Sequence, residues 1–207
     1  MSVKCIDISS HQGAVDFDKV RASGVTSVII RAGYGRYIFQ KDSRFEENYR
    51  KARSAGLHIG AYWYGYAADV NGAKKEAQTF LKVIAGKKFD LPVYYDAEES
   101  KLFRTGKANV SAVVTAFIRE MEKNGYFAGL YMSRWYLMNY TTDEVQRSFA
   151  LWVAEYDSEC NYKGAGRTGI WQFSSKQRIP GINGDADGDV IYIDYPSIIK
   201  GKHFNGF

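Results

Sequence analysis

Long apolar runs are missing from this chain, along with most of the marks of a metal, disulfide or nucleotide-binding protein. No stretch approaches the ~20 apolar residues of a membrane helix, so insertion into a bilayer is not expected. The opening MSVKCIDISS has no long apolar core of the kind a secretory signal needs, and structure is expected from the start. Cysteine occurs only at positions 5 and 160, too few for a disulfide framework and without zinc spacing. Both are expected as free thiols, Cys5 inside a buried strand. His11, His58 and His203 show no metal spacing. Gly33-Tyr34-Gly35 lacks the third glycine and the lysine of phosphate loops, and no serine nucleophile elbow is present. Neither a cofactor nor a metal is therefore expected.

Charge of one sign is in modest surplus, 28 Lys and Arg against 23 Asp and Glu. A basic chain is drawn to polyanions, which leaves nucleic acid, anionic membrane and anionic bacterial wall as candidates. The cations are scattered rather than concentrated on one element, which argues against nucleic acid. Aromatics are plentiful, with 16 Tyr and 4 Trp. Their flat apolar faces and polar tips suit sugar rings, although core packing accounts for most of them.

Short apolar runs alternate with helical patterns along nearly the whole chain. Strands are expected at Val3 to Ile8, Val25 to Ala32, Ile59 to Tyr66, Leu91 to Asp96, Ala128 to Met132, Leu151 to Ala154 and Ile170 to Phe173, with an eighth at Ile191 to Ile193. Helices are expected at Phe17 to Ala22, Arg44 to Ala55, Gly72 to Ile84, Asn109 to Lys123 and Asp143 to Phe149, several stopped by glycine. Strands apolar on both faces and alternating with helices predict a parallel sheet covered by helices. The fold class is thus α/β, a single-domain irregular (β/α)8-like barrel over residues 1–207 with its core at about 3–195. No linker or repeat appears, and no separate wall-binding domain is expected.

In such a barrel the site lies where the strands end. Those ends carry Asp7, Arg31, Tyr62 with Tyr64, then Asp96-Ala97-Glu98-Glu99, Trp152 with Glu155, and Trp171-Gln172. Positions i and i+2 of an extended segment face the same way, so the Asp96 and Glu98 carboxyls converge. Repulsion and partial burial then keep one protonated near neutral pH, the division of labour that glycoside cleavage requires. The segment Asp185-Ala186-Asp187-Gly188-Asp189 hints at calcium, but its glycine is at the fourth place rather than the sixth. It is read instead as a loop bringing one carboxylate to the mouth.

The segments IDISSHQGAVDFDKV, VIIRAGYG, GAYWYGYA, PVYYDAEE, LWVAEYD, WQFSS and PGINGDADGD, in this order, resemble the family 25 glycoside hydrolases. These are the Chalaropsis-type lysozymes, among them phage endolysins and bacterial autolysins, and the resemblance runs from about Val3 to Tyr195. It implies a metal-free muramidase that cuts the β-1,4 bond between N-acetylmuramic acid and N-acetylglucosamine in peptidoglycan, with retention of configuration. The family's opening aspartate falls on Asp7, its D-x-E pair on Asp96 and Glu98, and its late aspartate on Asp187, with Asp185 and Asp189 close by. Glu98 would be general acid and then base. Asp96 would be nucleophile, or would orient the substrate's 2-acetamido group. Tyr62, Tyr64, Tyr131 and Trp152 are candidate stacking surfaces or core residues, and Arg31 pairs with Asp7 or Asp187 or serves a structural ion pair. The site of action would be the bacterial wall, reached by lysis, through a holin or by another export route. Two rivals are a wall-binding module that does not cut and a hydrolase of a related polymer such as chitin.

Overall fold

Eight strands form one closed barrel in sequence order, each bonded to the next and β8 bonded back to β1. The computed structural model describes residues 3–207; residues 1 and 2 of the expected domain lie outside that description. The elements in chain order are β1 (Val3–Ile8), α1 (Phe17–Ala22), β2 (Ser27–Tyr34), α2 (Phe45–Ser54), β3 (His58–Tyr64) and α3 (Val70–Ile84). There follow β4 (Val93–Asp96), α4 (Ser100–Phe103), α5 (Lys107–Lys123), β5 (Ala128–Ser133), α6 (Arg134–Tyr140) and α7 (Asp143–Ser148). The chain finishes with β6 (Ala150–Ala154), β7 (Thr168–Gln177), β8 (Ala186–Ile191) and α8 (Tyr195–Gly201).

Helix starts follow capping chemistry. Asp16, Asp69, Thr142 and Asp194 each accept a backbone N–H from the first turn of α1, α3, α7 and α8. Gly56 ends α2 with φ of 73°, a left-handed conformation open to glycine at little cost.

β1 to β7 are parallel, as expected, but β8 runs antiparallel to both β1 and β7. This corrects the last strand twice. It begins at Ala186 rather than Ile191, and the acid-rich segment is a strand rather than a loop. Three helices were not expected: α4, α6 and α8. β3 stops at Tyr64, two residues early, because the buried Glu76 carboxylate takes the Tyr66 backbone N–H at 2.8 Å. Gly65 lies between, where a Cβ would collide with the Tyr95 ring.

Apolar side chains sort into two cores. The larger fills the space between sheet and helices, with Val28, Ile30, Trp63, Phe80, Tyr95 and Phe117 among its members. The smaller lies inside the barrel, where Cys5, Ile29, Leu91, Tyr94, Trp152, Ile170 and Ile191 pack with Tyr195 and Ile199 of α8. α8 therefore plugs the end of the barrel opposite the strand tips. Both cysteines are free, with Cys5 buried in β1.

Two polar groups tie this plugged end together. Buried Asp90, just ahead of β4, meets Arg53 at 2.7 Å, Lys200 at 2.9 Å and His58 at 3.7 Å. Burial alone lifts its carboxyl, but hydrogen bonds from His58, Lys200 and Arg53 outweigh that and hold it well below the usual range. Asn205, fully buried, donates to the Phe89 and Leu91 carbonyls at 3.3 and 2.9 Å and accepts the Phe127 N–H at 2.7 Å. No helix among the described residues is long and apolar enough to cross a membrane.

Candidate active site

The tips of β1 to β7 and the start of β8 share one mouth, because β8 enters the barrel from the side where its neighbours leave. Asp7 faces Asp187 across the β1–β8 pair, and Asp96 lies beside Tyr64 on one side and Tyr131 on the other. Asp189 sits one pleat deeper than Asp187 and is 1% exposed. Asp185, outside the barrel, pairs with Arg178 at 3.0 Å. Of the three late aspartates, Asp187 is thus the one at the mouth opposite Asp7.

Asp96 and Glu98 occupy different media. Asp96 is 5% exposed, and its Oδ1 is buried without a hydrogen-bond partner. Leaving such an oxygen unpaired costs about 1–3 kcal/mol, a cost relieved when a proton or ligand completes it. Burial raises the Asp96 carboxyl well above its ordinary range, the Glu98 charge adds to this, and Arg31 opposes it. Glu98 reaches solvent at the rim. Its carboxyl is also raised, first by desolvation and then by the Asp187 charge. Desolvation and mutual repulsion thus favour the protonated form at both positions, and the two carboxyls titrate together. The third carboxylate of the run, Glu99, accepts the Tyr64 hydroxyl at 3.2 Å.

Asp7 is buried with its carboxyl raised well above the usual range by desolvation and by the charges of Asp189, Asp187 and Asp96. Gln172 holds it, donating from Nε2 to Asp7 Oδ2 at 2.8 Å. The Gln172 carbonyl accepts two hydroxyls, from Tyr131 at 2.8 Å and Tyr156 at 3.1 Å. Below them, Trp152 Nε1 donates to Asp189 Oδ1 at 2.8 Å.

The expected substrate-binding residues divide. Arg31 bonds neither Asp7 nor Asp187. Its Nε meets the buried Asp42 carboxylate at 2.8 Å and its Nη2 meets the Ser10 hydroxyl at 3.0 Å, since Asp42 lies closer and accepts the Ser10 N–H as well. Tyr62 and Tyr64 are half-buried at the mouth. Tyr131 is mostly buried with its hydroxyl engaged by Gln172, and Trp152 is 2% exposed. Trp152 departs from an open stacking surface because Tyr62, Tyr94 and Tyr131 pack edge-on against it, at centroid distances of 5.9, 5.3 and 4.4 Å. It belongs to the floor beneath the carboxylates.

Gln172, Asp189, Asp42 and Tyr156 are parts of the site that sequence reasoning did not assign. Gln172 stood at a strand tip and Tyr156 within the LWVAEYD segment, both usable signals; Asp42, in a loop, carried none. A groove of about 670 Å³ adjoins the mouth, lined by Arg31, Tyr34, Phe39, Lys41, Tyr64 and Tyr66 among others. Among the described residues, no group of three or more His, Cys, Asp or Glu side chains is placed to hold a metal ion.

Known proteins resemble this chain in sequence and in fold. The family model described as Glycosyl hydrolases family 25 matches residues 6–182. The autolytic lysozyme of Clostridium acetobutylicum is 32% identical over 192 residues, covering 90% of this chain and 55% of that protein, so the chain spans about half of its length. Lysozyme M1 of Streptomyces globisporus is 24% identical over 197 residues, covering 89% of this chain and 66% of that one. Among solved structures, the CTP1L endolysin superposes with a TM-score of 0.85 at 26% identity, covering 96% of this chain and 70% of that one. The bacterial lysozyme from Streptomyces coelicolor superposes at 0.84 with 20% identity over 98% of this chain and 99% of that one, a likeness of fold alone.

Proposed function

The chain belongs to glycosyl hydrolase family 25, and from that membership we propose that it is a lysozyme, cutting the β-1,4 bond between N-acetylmuramic acid and N-acetylglucosamine in bacterial peptidoglycan with retention of configuration. The observation that carries this is the pairing of a solvent-facing acid, Glu98, with a buried and incompletely bonded one, Asp96, at the mouth of a closed barrel.

Glu98 stands at the rim, and desolvation and the Asp187 charge raise its carboxyl. It donates its proton to the departing oxygen and then, as a base, activates water. Asp96, in the drier position, either attacks the anomeric carbon or steers the 2-acetamido group of the substrate to do so. Asp7 and Asp187 hold the sugar at the cleavage point and set the charge of the pair. Tyr62 and Tyr64 supply ring faces at the mouth, with Tyr131 and Trp152 supporting them from below. Arg31, anchored on Asp42, opposes the rise in the Asp96 carboxyl from one side. The partner is the glycan strand of the wall, with no nucleic acid and no membrane insertion, and delivery follows lysis, a holin or another export route. The Clostridium autolytic lysozyme and the CTP1L endolysin support the wall as the site of action.

The test is to digest purified peptidoglycan, reduce the new ends with borohydride and identify the reduced sugar by mass spectrometry. Muramitol is expected. Glucosaminitol would mean that the other bond is cut. No new ends, with wall binding retained, would favour a binding module, and faster turnover of chitin oligomers than of peptidoglycan would favour the chitin reading.

A further inference from the structure

We propose that Gln172 is a positioning residue of this site: its amide group fixes which oxygen of Asp7 carries the acid proton and turns that proton toward the carboxylates of β8. The inference rests on the lysozyme reading only for the roles of Asp7, Asp187 and Glu98; the geometry stands by itself.

Gln172 is 3% exposed, so its amide takes one orientation set by its neighbours. Its carbonyl oxygen accepts the hydroxyls of both Tyr131 and Tyr156. A carboxamide oxygen has two lone pairs, and both are engaged, so only the NH2 is left for Asp7. The reverse orientation would face both hydroxyls with N–H groups and leave the buried Tyr131 proton without this acceptor, a costly arrangement in the interior. Asp7 Oδ2 is therefore an acceptor, and the hydrogen of a protonated Asp7 resides on Oδ1.

That choice matters because of what surrounds Asp7. Cys5 lies on its own strand, Asp187 and Asp189 face it from β8, and Asp96 from β4. Tyr62, Tyr131 and Tyr156 bear on it from β3, β5 and the loop after β6, while Arg31 acts on Tyr62 and Asp96. Of these surroundings, it is Gln172 that donates a hydrogen bond to Asp7. With Oδ2 committed to Gln172, the Asp7 proton on Oδ1 is left for Asp187, which faces Asp7 across the β1–β8 pair, and its approach opposes the rise that burial gives Asp187. The Asp187 charge in turn raises the Glu98 carboxyl, second to desolvation. The order of influence runs from Gln172 through Asp7 and Asp187 to Glu98.

The experiment compares the wild type with Gln172→Met, which has a similar volume, no donor and only a weak sulfur acceptor. The Glu98 titration is followed directly by carbon-13 NMR of its carboxyl. Its midpoint is expected to fall by about half a pH unit or more. The alkaline limb of the kcat/KM profile should move the same way, since that limb reports loss of the acid's proton. An unchanged or raised midpoint, or a rate lowered equally at all pH values, would overturn the proposal and leave Gln172 a packing residue. Should the methionine variant not fold, Tyr156→Phe removes one of the two hydroxyls that pin the amide from a 61% exposed position. It should shift Glu98 in the same direction by less, and no shift there has the same force against the proposal. The NMR titration needs no substrate, so a wild-type protein that releases no ends from peptidoglycan would refute the lysozyme reading and leave this test standing.

Discussion

Asp96 and Glu98 are two residues apart and live in different solvents, one sealed under tyrosines and the other open at the rim. Replacing Glu98 by Gln keeps the shape and removes the transferable proton. Turnover on peptidoglycan should fall by about 10²–10⁴-fold while the circular dichroism and melting curve are unchanged. A folded Glu98→Gln protein with wild-type rates would refute the role. A second expectation concerns pH and stability. Asp7, Asp96 and Asp189 bind protons more tightly folded than unfolded, where an aspartate titrates near ~3.9. The stability they contribute is complete below that value and is lost as pH climbs through their raised folded values. Asp90 has the opposite sign, stabilising above ~4 and losing its effect as pH falls through its lowered value. Thermal melts should therefore show greater stability at about pH 5 than at about pH 8. Asp189→Asn, which retains an acceptor for Trp152 Nε1, should raise the melting temperature at the higher pH and flatten the dependence. A variant less stable than wild type at pH 8 would contradict this. At this scale the sequence was legible wherever a charged residue closed an apolar run: Asp7, Arg31, Asp96 and Glu98 were each found that way. Asp189 was not singled out, because among Asp185, Asp187 and Asp189 only strand register distinguishes the mouth from the interior.

Seven of the strands were legible for the reason that βα units are: each is buried on both faces and reads as an apolar run. β8, ADGDVI, is not, because the face it turns inward carries Asp187 and Asp189 before it reaches the apolar Ile191. Its polar pattern resembles a loop, and its direction could not be inferred from neighbours that all run the other way. α8, with the sequence YPSIIKG, was missed as a short segment after the last expected strand, yet its Tyr195 and Ile199 enter the inner core. Just beyond it, Asn205 joins the lead-ins to β4 and β5. Asn205→Ala would remove three hydrogen bonds and strand the Phe127 N–H and the Phe89 and Leu91 carbonyls. A loss of about 2–4 kcal/mol is expected, given the cost of buried groups left without partners. Chemical denaturation measures it, and a loss under about 1 kcal/mol would mean that the floor is held by α8 packing instead.

Across the whole molecule the surplus of five positive charges has no single locus, and its effect belongs to long-range attraction rather than to the site. Binding of the inactive Glu98→Gln variant to whole walls should weaken severalfold as salt rises beyond about 0.15 M, where charges more than ~8 Å apart are screened. Sedimentation with walls at graded salt tests this, and salt-independent binding would assign the affinity to the groove instead. The barrel as a whole, with its irregular helices, could be read from composition and alternation because closure needs only repeated βα units; the one reversed strand could not.

That reversal also decides which way the protein can be held. Because β8 descends, the backbone re-emerges at the plugged end, and Asn205 is fastened there against Phe89, Leu91 and Phe127. A bead, dye or surface linked at Phe207 would thus meet the face opposite the carboxylates. Molecules tethered by that handle should stand with their mouths outward, each as free to engage a polymer as it is in solution.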